Sequence, residues 1–444
     1  MTKLLPAILL LLVQSSFGQF AIGYQTITYN DPARSNRAIE CEIYYPGVSS
    51  GEDVAVEFGE FPIIIFGHGF AMQVGAYPNW REEFVPDGYI MVFPTTEGGT
   101  IFPPPNHEEF GLDLQFLVTT MQAEGTNAAS PFYQHVSERA GMMGHSMGGG
   151  ATFIGASTFA NVDCIVGLAP AETDPSAVTA ASNVTAPVMI LSGTSDGVTP
   201  PNDNHIPIYN ALGSNCKYFV PITDGSHCYF ASNTVICTLG EIIPGSLPAE
   251  YQRQSSYGVC HPWFDYFLKD DCDAWDDFQT VLVNDPNLGT IDSECYNEAP
   301  VISENNGILE SNIQVDYQWY LNGIALSGEE QQTHVYSQSG IYQVGTFLLG
   351  NCPTLSNEII VQTTGIVQHK IVLETTINGT QIRSRHRLNN VTLEWYDSSG
   401  RVVSSERLAA IKSNQYVTIH KPMLNRIKLL RLSSDETVKT WKLY

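Results

Sequence analysis

The sequence predicts an α/β chain with a mostly parallel central sheet, followed by two small all-β domains. Three observations predict it. Short apolar runs alternate with helix-like stretches from about residue 20 to 282. From about 297 the text changes to short β-like runs divided by Asn-Gly, Ser-Gly and Gly-Asn turns. The charge then changes sign: residues 366–444 hold 13 Lys and Arg against 6 Asp and Glu, and the rest of the chain 8 against 40. A charge step of this size marks a domain boundary, and 444 residues are more than one domain usually holds.

The first 18 residues read as a secretory signal peptide. Lys3 precedes an apolar core from Leu4 to Val13, and Ser16 and Gly18 supply the small residues before a cut near Gly18 or Gln19. The apolar run is too short to span a bilayer, so export without a transmembrane anchor is expected. Residues 19–282 form the α/β domain. "PIIIFGHG", "GYIMVFPT", "RAGMMGHS", "VDCIVGLAP", "PVMILSG" and "KYFVPIT" are continuous apolar runs ending in turn residues, the pattern of parallel strands buried on both faces. "EEFGLDLQFLVTTMQAEG" and "GVCHPWFDYFLKD" are helix candidates between them. Residues 283–298 read as a linker, 299–364 as a β-sandwich and 366–444 as a second β-rich domain. The basic charges of the last segment lie within strand-like text, which favours a folded β-domain over a nucleic-acid-binding arm. The acidic remainder repels nucleic acid and anionic membranes.

Export makes the nine cysteines potential disulfide partners. Their odd number leaves at least one unpaired, and Cys164, inside "CIVGLAP", reads as a buried thiol. Proximity alone pairs Cys228 with Cys237 and Cys272 with Cys295. Trp319 between Cys295 and Cys352 invites an immunoglobulin-type reading of the sandwich. No CxxC pair or His/Cys cluster suggests a zinc site. His107, Glu108 and Glu109 lack the HExxH spacing and read as a solvated loop.

The stretch "RAGMMGHSMGGG" carries the chemistry. It places Ser146 where an apolar strand turns sharply into a helix, in the spacing Gly144-His145-Ser146-Met147-Gly148. This is a nucleophile elbow. A serine hydroxyl needs a positioned base, and an α/β-hydrolase supplies it in the chain order serine, acid, histidine, the last two in loops after successive strands. "APVMILSGTSDGVTPP" places Asp196 after one strand, and "CKYFVPITDGSHCYF" places His227 after the next. Asp203 is a weaker acid candidate, further from its strand. Asp224 reads as a turn cap. His205 and His261 lack the strand-then-loop placement. The N–H groups of Met147 and Phe70 are the expected oxyanion donors, Phe70 lying at the end of "PIIIFGHGF". Its ring would lie over the scissile bond; the alternative is a core aromatic. His145 adjoins the nucleophile and is expected, with Ile208, to line a subsite.

"GHSMGGG", "APVMILSGTSDGVTPP", "HIPIYNAL" and "KYFVPITDGSHCYF" resemble the polyester hydrolases, the bacterial cutinases and PET hydrolases among the dienelactone-hydrolase-like α/β-hydrolases. The resemblance runs in order across residues 20 to about 282. It implies Ser146, Asp196 and His227 as triad, Phe70 and Met147 as oxyanion donors and substrate contacts, an ester or polyester substrate, and no cofactor. The sequence departs from the family at two points. The tryptophan that often follows the strand after the elbow is missing from "GLAPAETDPS". Gly193 stands where a disulfide between the acid and histidine loops would begin. "YQWYLNG" and "SQSGIYQV" resemble the Ig-like or PKD-like modules appended to secreted enzymes. "LEWYDSSGRVV" and "ETVKTWKLY" resemble the C-terminal sorting domain read by type IX secretion machinery, which implies passage through the periplasm to the outside. The alternatives are an esterase for small or polysaccharide-linked esters and, in another class, a non-catalytic surface-binding protein.

Overall fold

The computed structural model describes residues 19–362, apart from 100, 234, 236, 296–298, 306, 313–316 and 348, and beyond them the stretches 371–376, 379–384, 388–397, 401–412, 416–419, 429–434 and 438–442. The expected signal peptide, residues 1–18, lies outside the described residues. The chain divides into two units. The first comprises 1–297 with 347–353, the second 298–346 with 354–444.

The first unit is built on one sheet of ten strands. Along the chain these are β1 (Ala21–Asp31), β2 (Arg37–Gly47), β3 (Gly51–Glu52), β4 (Phe61–Gly67), β5 (Ile90–Pro94), β6 (Val136–His145), β7 (Cys164–Leu168), β8 (Val188–Gly193), β9 (Cys216–Ile222) and β10 (Asp292–Cys295). Their order in space is β10-β9-β8-β7-β6-β4-β5-β2-β1-β3. The six from β5 to β9 pair in parallel, and β2 and β10 close the two sides antiparallel. The helices are α1 (Pro78–Phe84), α2 (His107–Thr126), α3 (Met147–Ala156), α4 (Ala177–Ala181), α5 (His205–Ala211), α6 (Ala249–Lys269) and α7 (Ala274–Asn284).

Strand periodicity explains why the apolar runs are continuous. Side chains alternate faces along a strand. Ile63 and Ile65 join one core with Phe110, Leu114 and Phe153 of α2 and α3. Ile64 and Phe66 join the other with Trp80 of α1 and Trp263, Phe264 and Phe267 of α6. With helices on both faces, no position of these strands can be polar at low cost. Each fully buried Ile or Phe contributes about 1.5–3 kcal/mol relative to exposure. That burial outweighs Pro262 inside α6, whose missing N–H costs about 3 kcal/mol in a helix interior.

Three expectations are corrected. The linker at 283–298 holds the last residues of α7 and strand β10, whose Cys295 pairs across to Cys216 of β9. The disulfides are Cys216–Cys295, Cys228–Cys237 and Cys272–Cys352. Thus the Cys228–Cys237 expectation holds, and the Cys272–Cys295 pairing does not: Cys295 is held in the β10 ladder, opposite Cys216. Cys164 is a buried free thiol as expected, joined in this state by Cys41 and Cys260. His107, Glu108 and Glu109 form the first turn of α2, not a loop, because Asn106 caps that helix by accepting the Glu109 N–H.

The second unit contains only small antiparallel sheets among its described residues. Trp319, Ile302, Leu309, Tyr342, Val344 and Val361 form one core. Trp395, Leu393, Val391, Ile411, Leu430 and Leu432 belong to another. Cys295 and Cys352 bond elsewhere, so Trp319 does not pack on an immunoglobulin-type Cys295–Cys352 bridge.

Candidate active site

Ser146 sits between the last residue of β6 and the first of α3, with φ 58° and ψ −121°. A non-glycine residue rarely adopts such a conformation, and it persists only where its surroundings enforce it. Here β6 is locked between β4 and β7, and α3 starts immediately. Two glycines make the turn possible. A Cβ on Gly144 would lie 2.4 Å from the Gly148 carbonyl oxygen, inside the turn itself. A Cβ on Gly148 would lie 2.2 Å from the carbonyl oxygen of Gly67, at the end of β4. The second glycine therefore serves the contact between the elbow and the neighbouring strand end.

That strand end leads into Phe70. Phe70 is 45% exposed, so it is not a core aromatic. Met147 opens α3, and the N–H groups of Phe70 and Met147 have no hydrogen-bond partner among the described residues. Unpaired N–H groups at a helix start suit a developing negative charge.

Asp196 and His227 meet. His227 Nδ1 lies 2.7 Å from Asp196 Oδ2, and both residues are buried. The carboxylate also accepts the Val198 N–H at 2.9 Å and the Thr199 N–H at 2.7 Å through Oδ1. Burial pushes the Asp196 carboxyl up, but the His227 hydrogen bond, the neighbouring imidazoles and the Thr199 N–H outweigh it, and it ends below the usual carboxylate range. His227 Nε2 makes no hydrogen bond among the described residues, to Ser146 Oγ or otherwise. Such bonds to a nucleophile often tighten only with substrate in place.

The two loops are fastened by backbone. Ser195 N–H donates to the Gly225 carbonyl at 2.9 Å, and Asp224 N–H to Thr194 Oγ1 at 2.8 Å. A Cβ at Gly193 would lie 2.6 Å from that same Gly225 carbonyl oxygen, which is why a cysteine is not accommodated there. Asp224 sits at the turn as expected, with φ 54°. On the other side, Gln252 of α6 exchanges two hydrogen bonds with the Ser226 main chain. The buried Glu241 carboxylate accepts the N–H of His227 at 2.7 Å and of Cys228 at 2.9 Å. Phe230, one turn on, is tied to α1 through Trp80 Nε1 at 2.7 Å.

His145 and Ile208 are fully buried and present no surface to a ligand. His145 lies beneath the site. Its Nε2 donates to the His227 carbonyl at 3.1 Å, and its Nδ1 lies 2.9 Å from Tyr77 Oη, which also receives the Gly69 N–H at 2.8 Å. Burial and the neighbouring His227 hold it neutral, well below the usual imidazole value. It thus joins the histidine loop, through Tyr77, to Gly69 in the loop after β4. His261 stacks on Phe84, far from this chain of contacts in its partners.

Thr199 escapes the sequence reading, and His205, set aside there as a base, lies against it. Thr199 Oγ1 lies 2.9 Å from Asp196 Oδ2, 2.8 Å from His227 Nδ1 and 3.0 Å from His205 Nε2. His205, at the start of α5, is fully buried, and burial lowers its pKa to about 4. A threonine three residues after an acidic loop residue is a common turn pattern, and no sequence signal separates this one from a cap. Asp203, the weaker acid candidate, makes no contact with either histidine among the described residues.

The profile of the family described as PET hydrolase-like matches residues 9–242. Cutinase est1 of Thermobifida alba is 24% identical over 199 residues, covering 45% of this chain and 60% of that protein. The bis(hydroxyethyl) terephthalate hydrolase of Streptomyces coelicolor is 22% identical over 200 residues, covering 45% of this chain and 58% of that protein. The chain therefore spans under two thirds of the length of these relatives. The matched profile extends over more than half of the sequence and takes in the elbow, the acid loop and the histidine loop, and the chain belongs to the PET hydrolase-like family.

Proposed function

We propose that the protein is an exported serine carboxylic-ester hydrolase that cleaves polyesters, PET among them, through Ser146, His227 and Asp196. The observation that carries this reading is the 2.7 Å contact of His227 Nδ1 with Asp196 Oδ2 in loops fastened to the strained Ser146 elbow. Ser146 Oγ attacks the ester carbonyl carbon while its proton passes to His227 Nε2. The oxyanion receives the N–H groups of Met147 and Phe70, each such donor being worth about 10²–10³ in kcat. Collapse expels the alcohol with the proton from His227 and leaves an acyl group on Ser146. Water, deprotonated by His227, then releases the acid. Asp196 stays ionised and fixes the tautomer of His227.

The exposed Phe70 ring gives an apolar, aromatic contact beside the reacting carbonyl. Three disulfides require an oxidising compartment, and among the described residues no helix is long and apolar enough to cross a membrane. The disulfides support export by way of the signal peptide; residues 299–364 as a surface-holding module and 366–444 as a type IX sorting domain rest on the sequence resemblance alone. A second reading, an esterase for small or polysaccharide-linked esters, is favoured by the loop after β7. There Ala171 donates to the Ser146 carbonyl, and no aromatic clamp follows.

Hydrolysis of p-nitrophenyl butyrate beside a Ser146→Ala variant, followed by polycaprolactone clearing and amorphous PET film, tests the proposal. Serine-dependent turnover with a clearing halo supports the polyester reading. Serine-dependent turnover with both polymers untouched leaves the small-ester enzyme. A folded wild type no faster than Ser146→Ala overturns the enzymatic reading.

A further inference from the structure

Ser192, His205 and Thr199 form a buried polar chain that ends on Asp196, and the triad mechanism above does not use it. Ser192 Oγ lies 2.8 Å from His205 Nδ1, and His205 Nε2 lies 3.0 Å from Thr199 Oγ1. Thr199 Oγ1 lies 2.9 Å from Asp196 Oδ2. Ser192, His205 and Thr199 are all buried.

Counting donors and acceptors fixes where the protons go. The side chain of Ser192 has His205 as its one hydrogen-bond partner among the described residues, so its hydroxyl must donate to Nδ1 or be left unsatisfied in the interior. Nδ1 is then an acceptor, and the proton of the neutral ring sits on Nε2. Nε2–H in turn fills one of the two lone pairs of Thr199 Oγ1, and the threonine O–H has two acceptors in reach, the Asp196 carboxylate at 2.9 Å and the more distant Ala169 carbonyl at 3.3 Å, of which the charged and nearer carboxylate is the stronger. Burial keeps His205 neutral at ordinary pH, in agreement with this assignment. Its 3.7 Å approach to Asp196 Oδ2 is therefore not an ion pair.

The consequence reaches the catalytic histidine. Thr199 Oγ1 is only 2.8 Å from His227 Nδ1, nearly as close as Asp196 Oδ2 at 2.7 Å. An oxygen with a free lone pair at that distance competes with the carboxylate for the His227 proton. We propose that His205 is a positioning residue: by occupying one of the two lone pairs of Thr199 Oγ1 it turns the threonine O–H towards Asp196 and weakens Thr199 as a rival acceptor, so that the carboxylate is the stronger partner of His227. The inference rests on the Ser146–His227–Asp196 reading and adds to it a chain from β8 and α5 that favours the acid–base contact.

The test is a double-variant cycle on the full chain, with turnover of p-nitrophenyl butyrate normalised by organophosphonate titration of active sites. The variants are His205→Asn, His205→Gln, Thr199→Val and Thr199→Val with His205→Asn. The glutamine amide reaches the place of Nε2, whereas asparagine reaches only that of Nδ1. The expected result is about a tenfold fall in kcat for His205→Asn and for Thr199→Val, with KM within about twofold. His205→Gln stays within about threefold of wild type, and the double variant is no slower than Thr199→Val, because His205 acts through Thr199. Thr199→Val, which keeps the side-chain shape, also moves the downfield His227 Nδ1 proton resonance upfield. Losses that multiply in the double variant, or equal kcat for the asparagine and glutamine variants, overturn the inference. Asp196→Asn run alongside separates the two readings. Turnover that survives it removes the triad and this inference together, and turnover that needs Asp196 while the cycle multiplies removes this inference alone.

Discussion

Replacing Gly148 by alanine would place one methyl group in the tightest contact of the site. Its Cβ would lie 2.2 Å from the Gly67 carbonyl oxygen, 2.3 Å from the Gly67 carbonyl carbon and 2.6 Å from the His68 carbonyl oxygen. All three are main-chain atoms, so no side chain can rotate away. Non-bonded heavy atoms settle at about 3.5–4 Å, so the end of β4 and the start of α3 must separate by roughly 1 Å or more. That movement carries the Phe70 N–H away from the Met147 N–H. A displacement of about 1 Å costs on the order of 10²-fold in rate, and forcing a methyl group into a packed site costs about 1–3 kcal/mol of stability. Gly75, in the connection from β4 to α1 that also carries Phe70, is the control, since a Cβ there meets nothing within 4 Å. With p-nitrophenyl butyrate, Gly148→Ala should lower kcat about a hundredfold and lower Tm, while Gly75→Ala stays within about twofold. A Gly148→Ala enzyme retaining a third or more of wild-type kcat would refute the placement of the oxyanion donors.

Further outcomes follow from the same network. His205 falls from an ordinary 6.5 to about 4 in the folded chain. Above pH 6.5 neither state binds the proton and stability is full; as pH falls towards 4 the unfolded chain takes a proton that the folded chain refuses, and stability drops by about 3 kcal/mol. The buried His68 and His145 act in the same direction. Urea unfolding at pH 7.5, 6 and 5 should show the fall, and His205→Gln should flatten it; an unchanged slope in that variant contradicts the assignment. Glu241→Ala removes the acceptor of two buried main-chain N–H groups, those of His227 and Cys228. It should cost at least about 1–3 kcal/mol and lower kcat more than Glu241→Gln, as titrated turnover and Tm would reveal. Replacing Cys237 by serine opens the nine-residue Cys228–Cys237 link beside His227. Stability should fall by about 2–3 kcal/mol on denaturant titration, with a loss of activity that added thiol reproduces in the wild type.

Much of the catalytic unit is legible in the sequence because its signals are local. Strands such as "PIIIFG" are apolar throughout since helices cover both faces, and their shortness and flanking turn residues favour a buried strand over a buried helix. The elbow is legible for the same reason: Gly144 and Gly148 answer clashes within one turn and with one neighbouring strand. What stays hidden is set by distant partners. Strand β10, "DSEC", is polar and largely exposed, so it carries no alternation to betray it, and only its pairing with β9 makes it a strand. Cys295 therefore finds Cys216, 79 residues away, rather than the nearer Cys272. Thr199 goes unmentioned and His205 is set aside because their contact depends on where α5 places His205 against the loop of Asp196. His145, beside the nucleophile in sequence, points beneath the site and binds the His227 carbonyl instead of lining a subsite.

Peptide mass mapping of the protein after treatment with a p-nitrophenyl alkylphosphonate tests the Ser146–His227–Asp196 triad. A single adduct on the peptide carrying Ser146, formed at a rate that collapses in His227→Ala and Asp196→Asn, is the predicted result. A folded protein that takes up no phosphonate at Ser146, or labels there equally fast without His227, would contradict the triad.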